Sequence, residues 1–293
     1  MTGSSAVVLA DIDLEAPTVL LQWAVGGLFF LWITSRRRQV GLGYGWLLRA
    51  SYGILAAGAF VLGVLFDPVP VREVASVGVV LAAAVALVVS VQRRRAGVRG
   101  QREVEERRSA RVAAMTGIDR DQQRFDKDLP EFPPQLDLIA PAIGLVGLVA
   151  AGVAAGDPVL LSIARVVVGA AFLGVISDAM LLGHWYLVQP GLPRAPILEL
   201  VKWSAAIWPF ELLVLLWPTG MWSVLNGDID DGYNGLLGWF WVASSITTIV
   251  LIGVTRAALR ERQYAAVMAA TGLLYLAILT AFGMDLVARA TLS

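Results

Sequence analysis

The sequence predicts an all-α polytopic integral membrane protein with eight transmembrane helices and both termini on the extracytoplasmic side. Three observations predict it. The 293 residues are 57% hydrophobic and only 16% charged, with a mean hydropathy of +0.71, far from an ordinary soluble domain. Eight apolar runs approach the length that a hydrocarbon core demands, about 20 residues per helix. Basic residues collect after the first, third, fifth and seventh runs, and cytoplasmic flanks are where Lys and Arg gather. Of the 23 basic residues only Arg72, Arg165 and Arg289 fall toward the other side.

The first 16 residues end in Asp11, Asp13 and Glu15 and carry no basic stretch, so they read as an external acidic terminus and not as a secretory signal. The first span, about 17–34, stops at Arg36-Arg37-Arg38, too costly a cluster to bury. The second, about 46–66, leaves through Asp67-Pro68-Val69-Pro70, where two prolines forbid continuation. The third, about 75–91, ends at Arg93-Arg94-Arg95 and opens a charged cytoplasmic arm over 92–134.

That arm divides by charge. Residues 92–111 hold eight Arg against three Glu, with Glu103 and Arg107 at i, i+4 and Glu105 and Arg108 at i, i+3, so the third helix is expected to continue to Met115 and stop at Thr116-Gly117. Residues 118–134, with Asp119, Asp121, Asp126 and Asp128, read as an acidic loop closed by Pro133-Pro134. The arm suits topological anchoring and anionic lipid contact, or docking of a cytoplasmic protein partner.

The fourth span, about 136–156, turns at Gly156-Asp157-Pro158 into the fifth, about 159–188, which is long enough to tilt. Three prolines at 190, 193 and 196 make a stiff connection to the sixth span, about 197–217, which Pro209 is expected to kink. An acidic external loop with Asp228, Asp230 and Asp231 precedes the seventh span, about 236–255. Arg256, Arg260 and Arg262 mark its inner end, and the eighth span, about 265–287, returns outward. Val25-Gly26-Gly27-Leu28-Phe29 and Val168-Gly169-Ala170-Ala171-Phe172 are alike, which fits either a parallel four-plus-four duplication or chance in a biased composition.

Two groups of side chains are candidates for function. At the inner end of span five, Asp178, His184, Trp185 and Tyr186 would line a pocket for a quinone-like or lipid-like ligand, with Asp178 some 15 Å inside the helix end at 1.5 Å per residue. Trp, Tyr and His also populate the ordinary interfacial belt. On the outer half, Glu211 lies beyond the Pro209 kink, and Arg165 is placed to snorkel outward or to pair with it, so Asp178, Glu211 and Arg165 are candidates for a proton relay. Glu199 with Lys202, and Asp285 with Arg289, have the spacing of helical ion pairs. Trp208 sits too deep for the belt and is expected to pack between helices or against a ligand.

Several chemistries are excluded or disfavoured by residue type. No cysteine and one histidine leave no ligand set for a disulfide, a cysteine-ligated iron–sulfur cluster or a bis-histidine haem. Neither Lys127 nor Lys202 sits mid-membrane for Schiff-base chemistry, and no Walker loop, dinucleotide fingerprint, zinc spacing or EF-hand pattern occurs. No basic patch suits nucleic acid. Arg outnumbers Lys 21 to 2 and small apolar residues dominate, which points to a high-GC bacterial genome and a bacterial plasma membrane.

Eight spans in two four-helix halves resemble the membrane-anchor subunits of quinone-linked oxidoreductases in architecture alone. The leading expectation is therefore a non-catalytic membrane subunit binding a quinone- or lipid-like molecule near the inner leaflet and anchoring a cytoplasmic partner. The alternatives are a proton-coupled small-solute transporter using Asp178 and Glu211, and a purely structural or assembly protein.

Overall fold

The computed structural model describes residues 15–116, 125–126, 128–156, 158–189, 191–218 and 220–292. Asp11, Asp13, Gly117, Asp119, Asp121, Lys127, Asp157 and Pro190 lie outside the described residues, as does the Arg108 side chain expected to pair with Glu105. The described residues are helical and contain no strand.

Helices α1 (Ala16–Ser35), α2 (Leu42–Phe66) and α3 (Pro70–Gln92) precede a short helix α4 (Arg99–Thr116). Then come α5 (Ile139–Ala154), α6 (Val159–Val188), α7 (Ala195–Leu216), the five-residue α8 (Met221–Leu225), α9 (Leu236–Ala258) and α10 (Tyr264–Leu292). Three of the starts are set by proline. Pro17, Pro70 and Pro196 occupy first-turn positions, where the missing N–H is no loss. Among the described residues seven helical segments are long and apolar enough to cross a membrane, which makes this a multi-pass membrane protein. α7 stands apart from them. Each 18-residue window of it holds Glu199, Lys202 and Glu211.

The long helices close two rings of four. In the first, α1 packs on α2, α2 on α3, α3 on α5 and α5 on α1. In the second, α6 packs on α7, α7 on α9, α9 on α10 and α10 on α6. The neighbour order is the same in both halves, and the rings meet where α1 crosses α6, with α5 alongside. The two similar pentapeptides are part of that crossing. A Cβ built on Gly26 would lie 1.7 Å from the Ala170 carbonyl oxygen, and one on Gly174 would lie 2.2 Å from the Gly26 carbonyl carbon. Only glycine permits the two backbones to approach so closely, the small-residue device by which membrane helices associate.

The arm differs from its expectation. α3 does not run on into it: the basic triplet forms a single 3-10 turn, Arg93–Arg95, and Gly97 adopts φ +61° before α4 begins. Glycine carries that conformation without the Cβ penalty. Val98 and Phe132 are buried beside Leu42 and Ala86, so both ends of the arm fold back onto the bundle. Glu131 ties them down, accepting from Arg38 at 3.0 Å and from Arg102, while the Gly100 N–H donates to the Arg38 carbonyl. Glu103 does pair with Arg107, at 3.5 Å, and with Arg99, at 3.0 Å.

The acidic loop before α9 is a capping device. The Asp231 carboxylate accepts backbone N–H bonds from Tyr233, Gly235, Leu237 and Gly238, satisfying the orphan donors of the helix start. Desolvation pushes this carboxyl up, but the four donors outweigh it and hold it below the usual Asp value.

Candidate functional site

Polar residues inside the bundle divide into two classes. Most hydroxyls bond the carbonyl one turn back on their own helix, as Ser204 does to Leu200, Ser245 to Trp241 and Thr271 to Val267. That is ordinary satisfaction of a buried hydroxyl. The second class reaches between helices. Buried Arg72 of α3, for one, holds Asp67 and Glu73 and donates to Thr18 of α1 at 3.0 Å, and three further clusters bear on function.

The first surrounds Asp178 on α6. Its side chain is fully buried, and Oδ1 accepts a hydrogen bond of 2.5 Å from the Tyr52 hydroxyl of α2. Oδ2 has no hydrogen-bond partner among the described residues. Tyr44, two turns earlier on α2, donates to the Asp178 backbone carbonyl at 3.2 Å. Gly27 makes the arrangement fit, since a Cβ there would lie 2.0 Å from the Tyr52 ring. Next door, Trp23 of α1 donates to Ser177 at 2.8 Å.

The second cluster lies at the other end of α6. Glu211 of α7 is fully buried, and neither carboxylate oxygen has a hydrogen-bond partner among the described residues. Asp285 and Arg289 of α10 are its charged neighbours. These two form the expected helical ion pair, at 2.9 Å. Arg165 does not hold Glu211 at hydrogen-bond distance; its Nε donates to the Val214 carbonyl, on α7 but nearly a turn further along. Gln22 of α1 donates to the Val166 carbonyl at 2.6 Å, and its own carbonyl oxygen has no hydrogen-bond partner among the described residues.

The third cluster was not anticipated. Arg49, almost fully buried on α2, makes a two-pronged ion pair with Asp137 through Nε–Oδ1 at 2.7 Å and Nη2–Oδ2 at 2.8 Å. Ser35 of α1 and Ser90 of α3 complete it, and the Phe132 ring lies 4.4 Å from the guanidinium carbon, within cation–π range. Between this latch and Tyr44 is a cavity of about 20 Å³, room for about one water.

Of the residues expected to share a pocket with Asp178, Trp185 lies on the same α2 side and the other two face elsewhere. His184 is exposed and meets Tyr275 of α10 at 3.2 Å. Trp185 packs toward Tyr44 and donates to Gln189. Tyr186 is buried, with its hydroxyl donating to the Pro193 carbonyl in the turn before α7. At the same end a larger cleft, about 530 Å³, runs along α7 and is lined instead by Arg37, Lys202 and Trp203 among others. The expected Glu199–Lys202 pair is replaced there: Glu199 is taken by Arg36 at 2.5 Å and Arg37 at 3.1 Å. Trp208 does bridge helices, donating to the Ser245 carbonyl of α9.

No protein-family model, curated protein or solved structure matches this chain. Its chemistry is therefore read from the geometry. Among the described residues no group of three or more His, Asp or Glu side chains could hold a metal ion.

Proposed function

We propose that this chain is a proton-coupled carrier of a small solute in a bacterial plasma membrane, crossing the bilayer eight times with both termini outside. One observation carries the reading. Asp178 and Glu211 are fully buried in apolar helices, and three of their four carboxylate oxygens lack a hydrogen-bond partner among the described residues. Ionisable groups are costly at such depth and are retained where they work. Asp178 serves the arginine-rich end and Glu211 the opposite one.

The two sites are ends of a single path in this reading. Along α6, Gly174 stands one turn before Asp178, while Gly169 adjoins Asp285 and Gln22 on the far side. The tight Gly26–Gly174 contact lies between them, so the α1/α6 crossing is the barrier, and separating the two four-helix rings there would join the sites. Tyr44, which donates to the Asp178 carbonyl and lines the one-water cavity beside Arg49, leads from Asp178 toward the inner surface. The membrane-anchor reading, with a ligand among Asp178, His184, Trp185 and Tyr186, is less favoured because only Trp185 shares the α2 side with Asp178, while His184 meets α10 and Tyr186 the turn before α7.

Purified protein in sealed liposomes carrying an internal pH dye, driven by a potassium diffusion potential, tests this. The wild type should acidify the lumen, and Asp178→Asn and Glu211→Gln should each slow it at least about tenfold, a barrier change of about 1.4 kcal/mol. Because a coupled carrier moves protons only with its solute, small solutes are supplied outside in turn; no solute-stimulated proton entry in the wild type, or entry that persists in the double variant, rejects the reading.

A further inference from the structure

The cleft on α7 has a chemistry of its own. Its upper part lies level with the end of α1, where Arg36 and Arg37 both engage Glu199. Counting Arg36, Arg37 and Lys202 against Glu199 leaves a surplus of two positive charges (3 − 1 = 2). Lys202 is exposed, lines the cleft and makes no hydrogen bond or ion pair among the described residues. It is the cation left over once Glu199 is occupied.

Below the charges the surface is apolar. Leu198, Trp203 and Ala206 line the cleft, and Phe210 and Leu213 continue the exposed stripe down α7 at spacings of three and four residues, one face of a helix. Trp203 is 42% exposed although its ring meets Phe30 edge-on at 6.3 Å. A basic head end above an apolar groove, at the arginine-rich end of spanning helices, matches an anionic amphiphile lying along the bundle. Inorganic phosphate would satisfy the cations but leave the stripe bare.

We infer that this cleft is a binding site for an anionic phospholipid, with Lys202 and Arg37 on the head-group phosphate and Trp203, Ala206 and Phe210 along an acyl chain. The site does not depend on the proton reading. Zwitterionic lipids lack the net charge that the unpaired Lys202 rewards, and near a membrane surface one Lys or Arg changes anionic lipid affinity by about fivefold.

Native mass spectrometry on the delipidated full chain, titrated separately with phosphatidylglycerol and phosphatidylcholine, reads this out. Wild-type protein should retain phosphatidylglycerol preferentially. Lys202→Gln should weaken that lipid about fivefold and leave phosphatidylcholine unchanged, whereas Trp203→Ala should weaken both. Lys202 is exposed, so its variant should fold, and an unaltered melting temperature verifies it. Equal retention of the two lipids by the wild type, phosphatidylglycerol binding that ignores Lys202→Gln, or full displacement by millimolar inorganic phosphate overturns the assignment.

Discussion

Arg49 and Asp137 stand 88 positions apart and form a buried two-pronged ion pair. Both guanidinium prongs, Ser90, Ser35 and the Phe132 ring are used. Removing one partner of a buried pair strands the other, at a cost of about 3–5 kcal/mol, whereas replacing both with apolar residues is often close to neutral. Thermal unfolding in detergent should therefore show Arg49→Met and Asp137→Leu each strongly destabilised and the double variant largely recovered. A double variant as unstable as the sum of the two would mean the latch acts through other contacts. Neither residue was legible as a partner in the sequence. Arg49 reads there as one more positive residue at an inner helix end, and Asp137 as the polar edge of the next span, because a long-range ion pair has no periodicity to betray it. Asp178 was legible, since a carboxylate ten residues inside a 30-residue apolar helix is conspicuous on cost alone. Its Tyr52 partner was not: aromatic company along one helix says nothing about which face meets which helix.

At the scale of elements, apolar length predicted most. The long helices begin and end within a few residues of the expected runs, and the fifth expected segment matches α6. What hydropathy could not give is which helices touch. The small residues that decide the α1/α6 crossing are as common in lipid-facing positions, and the likeness around Gly26 and Gly169 looked like a question about ancestry when it also concerned contact. Substitution separates the two kinds of glycine. Gly26→Ala places a methyl group 1.7 Å from a carbonyl oxygen, so the helices must part, at a cost of about 1–3 kcal/mol or more. Gly253 and Gly272 have nothing within 4 Å of a built Cβ, and alanine there should be neutral or gain up to about 1 kcal/mol of helix propensity. A Gly26→Ala variant melting with the wild type would refute the close crossing, and with it the barrier assigned to that place. The break at Gly97 teaches a related lesson. Charge spacing correctly suggested a helix over the arm, yet a single positive-φ glycine detached it from α3, and a pattern of i, i+4 pairs is silent about the direction in which a new helix sets off.

For the whole molecule, the path of α7 decides the topology. Its composition argues against a span, because Glu199, Lys202 and Glu211 fall in each window long enough to cross. Their positions argue for one. Glu199 and Lys202 occupy the first turns beside Arg36 and Arg37, an interfacial depth, and Glu211 is buried between helices and meets no lipid. The face that α7 turns outward carries Trp203, Phe210 and Leu213, and the second ring closes only if α7 runs alongside α6 and α9. The absence of native cysteine makes the question directly testable with Ala110→Cys in the arm and Asn226→Cys after α8, both at exposed positions. In intact cells a membrane-impermeant maleimide should label position 226 and reach position 110 only after permeabilisation. If α7 fails to cross, both positions share one side and label together, every helix after α6 reverses, and Glu211 can no longer serve the face opposite Asp178. The same two cysteines therefore test the number of crossings and whether the buried carboxylates open toward opposite sides of the membrane.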